Sequence, residues 1–259
     1  ANDLTHLATE GLFFLDNYNN EAPKHLTTFF DDVIEFVSFL SNRQSGAVGL
    51  PNVLVWAWYF WQKDVKEGYY MKDPDYYARQ QFQKLIYRLN QPFLRIDQSA
   101  FTNVSIFDRC YIESLFGGVE FPDGEMMIDH IEDLIGFQKI FMDVVSDIRE
   151  ENMFTYPVLT YSLYYKDGKF QDEDFAKWCS NHNIKWSDSN FFVSDNIGVL
   201  SNCCRLLSDT NKLDAFINSI GGTALSVGSC RVSTVNLVRI AYESKLNKKK
   251  YLEILKSRV

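Results

Sequence analysis

The sequence predicts an α/β protein in which a layer of amphipathic helices is followed by a largely parallel sheet. Three observations carry this expectation. Apolar residues recur at helical spacing through the first third of the chain, the pattern switches to a period of two at Ala100–Phe107, and from there β-rich and helical segments take turns. A chain of 259 residues, 46% hydrophobic and 15% aromatic, has ample material for a core.

Phe29, Phe30, Val33, Ile34, Phe36, Val37 and Leu40 form a helical stripe across Leu26–Ser45, and Gly46 follows where that helix would end. Ser45–Asn52 reads as a tight loop, with Pro51 suited to the first turn of the next helix. That helix, Asn52–Glu67, offers a broad apolar face of Val53, Trp56, Ala57, Phe60, Trp61 and Val65. Asp73 and Pro74 open a third, striped by Tyr77, Phe82, Leu85, Ile86 and Leu89 and stopped by Pro92.

Beyond Pro92, Phe101, Asn103, Ser105 and Phe107 alternate with Thr102, Val104 and Ile106, which is the mark of a strand. Phe121–Gly124 has turn chemistry, and a long amphipathic helix is expected over Met127–Glu150. Phe154–Tyr165 is β-rich, Lys166–Lys169 a hairpin turn, Asp172–Asn183 a short helix and Phe191–Val193 a strand. Cys230–Ala241 reads as a final strand, entered through the glycine-rich stretch 221–228. The expected division is a helical layer over residues 1–92 and an α/β part over 93–259.

A net charge of -8 argues against sequence-independent binding of nucleic acid, which needs clustered Lys and Arg. The one basic run, Lys248–Lys250 with Lys256 and Arg258, reads as a solvated helix face. No basic, apolar leader occupies Ala1–Gly11 and no apolar run reaches membrane-spanning length, so the expectation is a cytoplasmic protein that does not engage membranes. The five cysteines, at 110, 179, 203, 204 and 230, show neither a secreted disulfide pattern nor paired CxxC spacing for zinc.

Two segments could carry chemistry. Ser201–Leu206 holds the adjacent thiols Cys203 and Cys204, flanked by the amide of Asn202 and the cation of Arg205, in a region of little regular pattern. Read by spacing alone, these are either two structural thiols in a loop or a reactive pair, since Arg205 can stabilise an anion. The second is Gly221–Ser229 with Asn236, a loop that lets backbone N–H groups approach phosphate or simply packs tightly; it matches neither nucleotide-binding glycine motif. The acidic residues Asp129, Glu132, Asp133, Asp143 and Asp147 read as a solvated helix face with His130 on a different side, and no metal site is expected. His6, His25 and His182 lie near Asp3, Lys24 and Asn183 and show no nucleophile partner in sequence.

Five strings in order resemble the anaerobic, class III ribonucleoside-triphosphate reductases. They are Ser41–Asn52, Gln98–Ser105, Asn152–Thr160, Asn202–Leu206 and Gly228–Leu237, so the resemblance covers nearly the whole chain. It implies part of the ten-stranded α/β barrel of ribonucleotide reductases, with a finger loop around 196–208 that carries a radical cysteine. By this resemblance the thiyl falls on the Cys203–Cys204 pair, and Cys204 is favoured because it stands two residues after Asn202 and precedes Arg205. Asn103 and Ser105 would face the ribose on the strand at 100–107, with Asn202, Arg205 and Asn236 as further substrate contacts. Some relatives carry a second, reducing cysteine on that strand; here there is none, and Cys110 lies beyond it.

The resemblance further implies reduction of ribonucleoside triphosphates by a glycyl radical, generated by an S-adenosylmethionine iron–sulfur activating enzyme. ATP and deoxynucleoside triphosphates would act as effectors at a homodimer interface near the helices Leu26–Ser45 and Asn52–Glu67. The glycyl-radical motif, the four-cysteine zinc site and an ATP-cone do not occur in these 259 residues, so a central fragment, inactive alone, is expected. Two rivals stand beside this reading: another glycyl-radical enzyme resembling pyruvate formate-lyase, which labelled ribonucleotides would exclude, and a non-catalytic nucleotide-binding module, which would bind effectors without turnover.

Overall fold

The computed structural model describes residues 2–15, 21–44, 46–69, 73–201, 207–209 and 235–258. Two units are distinguished, Ala1–Val227 and Gly228–Val259.

The first unit opens with α1 (Thr5–Glu10), which the sequence pattern does not reveal, and α2 (Leu26–Ser41), whose predicted stripe is buried. Next comes β1 (Val48–Leu50), inside the segment expected to be a loop. Three residues are too few to show a period, and the strand exists because it pairs in parallel with a strand 54 residues further on, Val48 with Thr102. The helix α3 (Val53–Glu67) buries eight consecutive residues, Val53–Phe60, and α4 (Pro74–Leu89) begins as predicted, with Asp73 accepting from the Asp75 N–H.

The strand β2 (Thr102–Phe107) is buried throughout and leads into α5 (Arg109–Phe116), a helix absent from the sequence reading. Asp108 caps it, accepting from the Tyr111 N–H at 2.9 Å, and also takes the Tyr164 N–H at 2.6 Å. A short 3₁₀ turn, Met127–His130, precedes α6 (Ile131–Glu151). The hairpin β3 (Val158–Lys166) and β4 (Lys169–Phe170) turns on Asp167 and Gly168, both at positive φ as a two-residue hairpin turn requires. Then α7 (Glu173–Trp186) leads to β5 (Ser189–Ser194), followed by β6 (Val199–Ser201) and β7 (Leu207–Asp209).

β1, β2, β3 and β5 pair in parallel in that order. The sheet expected to be largely parallel is therefore present, although Asn103 and Ser105 lie on its second strand in chain order. β6 and β7 form a separate antiparallel pair.

Two amides, the buried Gln138 and the half-buried Asn90, fix the two ends of the sheet. At the C-terminal end, Gln138 of α6 accepts from the Phe107 N–H at 2.8 Å and donates to the Phe107 carbonyl at 2.9 Å, as a neighbouring strand would. At the other end, Asn90 donates to the Ile86 and Tyr156 carbonyls and accepts from the N–H groups of Thr155 and Tyr156, tying the end of α4 to the start of β3.

The second unit contains α8 (Leu237–Glu243) and α9 (Lys248–Arg258). A strand was expected over Cys230–Ala241, and its described part is instead helical from Leu237. The β-branched residues suggested extended chain, but the Asn236 side chain accepts from the Arg239 N–H at 2.9 Å and starts a helix. In α9 no residue is buried, as the basic run predicts.

Candidate active site

Successive side chains on a strand point to opposite faces, and parallel partners share a face. Register therefore puts Asn103, Ser105, Thr160, Ser162, Asn190 and Ser194 on one face, and Val104, Ile106, Leu159, Tyr161 and Leu163 on the other. The apolar face meets the helices: Tyr161 packs edge-on to Trp178 of α7. The opposite face mixes its polar groups with Phe107, Tyr164 and Phe192, and its residues on β2 are buried, with Asn103 only 2% exposed and Ser105 3%.

Asn103 donates to the Val158 carbonyl at 2.9 Å and to Thr160 Oγ1 at 3.1 Å, which aims its side chain across the strand. The Ser162 hydroxyl is fully buried without a hydrogen-bond partner. Buried hydroxyls and amides on an ordinary core face would cost stability without return, so this face has the character of a binding surface. Thr160, Ser162 and Asn190 were not singled out from the sequence; register alone aligns them with Asn103 and Ser105.

The C-terminal end of this face is closed by α5. Tyr111 packs on Phe107 with ring centroids 6.1 Å apart, and its hydroxyl donates to the Val199 carbonyl at 3.2 Å, anchoring β6 beside the sheet. Burial pushes the Tyr111 phenol up to about 12, so it stays a donor. Cys203 and Cys204, with Asn202 and Arg205, lie outside the described residues, as does 221–230. The flanking strands are described, and Ser201 pairs with Leu207.

Burial, helped by Asp172, raises the Asp108 carboxyl above the usual carboxylate range, against the backbone N–H groups of Tyr164, Tyr111 and Cys110. The Cys110 thiol is pushed up by burial, with Asp108, Asp172 and Glu113 adding to it, which leaves it a poor thiolate. Arg109 bridges Glu132 of α6 and Asp172, the cap of α7, the latter at 2.7 Å. Asn236 spends its side-chain oxygen on capping α8.

The acidic residues of α6 are more engaged than a solvated face suggests. His130 Nδ1 lies 3.2 Å from Asp133, so the two share a side after all, and Arg79 reaches Asp143 and Asp147 at 3.3 and 3.4 Å. Two histidines have partners that no sequence spacing revealed. His182 meets the hydroxyls of Ser146 and Tyr161, each at 2.9 Å, and His25 meets the buried Asp64 at 2.7 Å. The rings of Trp56 and Trp58 are buried within α3, so the aromatic content of this helix is explained by the core.

A parallel sheet with helices on its apolar face and a hairpin base anchored at its C-terminal end defines an α/β core. The family follows from the comparisons: the family model for anaerobic ribonucleoside-triphosphate reductase matches residues 1–259, and the chain belongs to that family. Among solved structures it is similar to the anaerobic ribonucleotide reductase from Thermotoga maritima with dATP bound in the specificity site, at 48% identity and a TM-score of 0.83, covering 98% of this chain and 42% of that one. The same enzyme in complex with dATP and CTP matches at 48% identity and 0.83, covering 98% and 41%. With glycerol in the active site it matches at 49% and 0.83, again covering 98% and 41%. The chain thus spans about two fifths of the length of these structures. No curated protein matches it. No helix among the described residues is long and apolar enough to cross a membrane.

Proposed function

We propose that this chain is the catalytic core of an anaerobic ribonucleoside-triphosphate reductase that converts ribonucleotides to deoxyribonucleotides. The observation that carries the reading is the 48% identity to anaerobic ribonucleotide reductase over 98% of the chain. The buried polar face supports it: Asn103, Ser105 and Thr160 offer amide and hydroxyl groups to the ribose hydroxyls in a site that excludes water.

In this reading Cys204 is the hydrogen-abstracting residue, with Cys203 beside it and Asn202, Arg205 and Asn236 as further substrate contacts. A glycyl radical elsewhere in the enzyme would supply the one-electron oxidation of this thiol. The role of Cys204 is to hold its sulfur against the ribose 3′ carbon, from which it takes a hydrogen atom to become a thiol again. Such a transfer needs a fixed distance and a dry pocket, and the anchoring of β6 through Tyr111 favours both.

The full enzyme, on this proposal, is a cytoplasmic homodimer, activated by a radical S-adenosylmethionine enzyme and regulated by ATP and deoxynucleoside triphosphates, with its zinc in another part of the protein. Residues 1–92 form the helical layer, apart from β1, which joins the sheet, and 93–259 the α/β half-barrel with its finger at 196–208. In the full-length activated enzyme, Cys204→Ala should abolish deoxynucleotide formation while ribonucleoside triphosphate binding persists. Retained reduction would overturn the assignment, and the same substitution at Cys203 separates the neighbours.

A further inference from the structure

The apolar face of the sheet holds a polar cluster that the proposed reaction does not use. Tyr161, in the middle of β3, is fully buried, and its phenol meets His182 Nδ1 of α7 at 2.9 Å. Burial holds this phenol above its ordinary range, so it stays protonated. Its neighbours in the strand, Thr160 and Ser162, send their side chains to the opposite face.

The partners of His182 fix the direction of that hydrogen bond. The other ring nitrogen, Nε2, lies 3.2 Å from the Met142 carbonyl and 2.9 Å from the Ser146 hydroxyl. A carbonyl only accepts, so Nε2 carries the ring hydrogen and Nδ1 keeps a lone pair. The Tyr161 O–H therefore donates to Nδ1. Ser146 is held in turn by Trp186, whose Nε1–H donates to its hydroxyl at 2.9 Å. A buried phenol whose hydrogen already points at a base can lose an electron without leaving a buried cation on its ring, because the proton departs with it.

Trp178, half-buried and one turn before His182 on α7, continues the cluster toward the surface. Its ring stands edge-on to Tyr161 with centroids 6.2 Å apart, and lies 5.8 Å from His182. Lys139 Nζ sits 5.5 Å over the same indole. That cation opposes positive charge on Trp178, so an oxidising equivalent shared by the two rings rests on Tyr161 as a neutral radical and only passes through the indole.

We propose that Tyr161 and His182 form a redox-active pair that quenches a stray thiyl radical, with Trp178 as its outlet to solvent. An electron leaves the phenol for the sulfur, which becomes a thiolate and takes up a proton from solvent. The phenolic O–H breaks in the same step, and its proton moves to His182 Nδ1. A soluble one-electron reductant such as ascorbate then reduces the tyrosyl radical through Trp178, and the proton returns from Nδ1. That the oxidant is a thiyl rests on the function proposed above; the pair itself rests on the geometry around Tyr161.

The first test oxidises the 259-residue chain with azide radicals in pulse radiolysis. Tryptophan radicals are expected to pass into a long-lived tyrosyl signal, in a step with a solvent deuterium isotope effect. Tyr161→Phe keeps the ring and removes only the hydroxyl; it should abolish the long-lived signal and the isotope effect. His182→Phe should slow the step about a hundredfold, the contribution of a positioned base. Trp178→Phe should delay the signal without abolishing it, and Tyr165→Phe, exposed at the end of β3, should behave as the parent. Thermal melting checks that each variant folds. A tyrosyl signal in Tyr161→Phe as long-lived as the parent's, or an unchanged rate in His182→Phe, would overturn the proposal.

The second test uses the full-length activated enzyme. Tyr161→Phe should start at the parent's rate of deoxynucleotide formation but lose activity several-fold sooner, and ascorbate should prolong the activity of the parent and not of the variant. Equal lifetimes would overturn the assignment of a thiyl as the oxidant. An enzyme that reduces no ribonucleotide would count against the proposed reaction and leave the redox pair standing.

Discussion

Replacing Gln138 by Leu removes the amide that completes the end of β2. The side chain is 1% exposed, and both of its hydrogen bonds go to backbone groups of Phe107, one accepted and one donated. Leucine has similar bulk but neither function, so the Phe107 N–H and carbonyl are left buried and unpaired. Each such group costs about 1–3 kcal/mol, and the added apolar burial returns about 1 kcal/mol. The expected net loss is therefore about 1–5 kcal/mol. Urea unfolding followed by circular dichroism should show the midpoint falling by about 1 M or more at an unchanged slope, for a slope of about 1–3 kcal/mol per M. Gln138→Glu should be no better, because it keeps the acceptor and sets a carboxylate against the Phe107 carbonyl. A loss below about 1 kcal/mol in the leucine variant would refute the view that this amide stands in for a strand.

Three further outcomes are expected. Asp32 is pushed up from 3.8 to about 6 by burial and by Asp31 and Glu35, so the cost of its charge is absent below its ordinary range and appears as pH rises through 6. Asp32→Asn should then stabilise by about 1 kcal/mol near neutral pH, after allowance for partial exposure, and by nothing near about pH 3.5; an equal gain at both pH values in chemical denaturation would contradict this. Asp64 is fully buried and accepts from His25, the Leu26 N–H and the Tyr77 hydroxyl, at 2.7, 2.9 and 2.8 Å. Asp64→Ala should cost about 3–5 kcal/mol in the same assay, and a loss near zero would show that these donors find other partners. Tyr111→Phe removes the anchor of β6 and should cost about 1 kcal/mol, with faster hydrogen exchange in β6 and β7 than in α2; unchanged exchange there would remove Tyr111 as the clamp.

The parts of the fold legible from sequence are those whose signal is local. α2, α4 and α6 bury stripes long enough to repeat several times, and β2 alternates cleanly because Asn103 and Ser105 interrupt Val104 and Ile106. β1 was hidden because its cause is pairing with a distant strand, and α8 was misread because β-branched residues outweighed the cap signal of Asn236. The missed α5 did have a signal, Asp108 placed before a short apolar run. At the site, alternation marks Asn103 and Ser105, whereas Thr160, Ser162 and Asn190 join them only through register, a long-range property.

Asn90 and Gln138 hold opposite ends of the sheet with the same chemical group. A carboxamide carries a donor and an acceptor side by side, as a peptide unit does, and it neither gains nor loses a proton under conditions in which proteins remain folded. The alignment of β2 with β3 is thereby insulated from acidity. Asp108, raised by burial, responds to pH together with the helix it caps, but the clamps at Asn90 and Gln138 do not titrate.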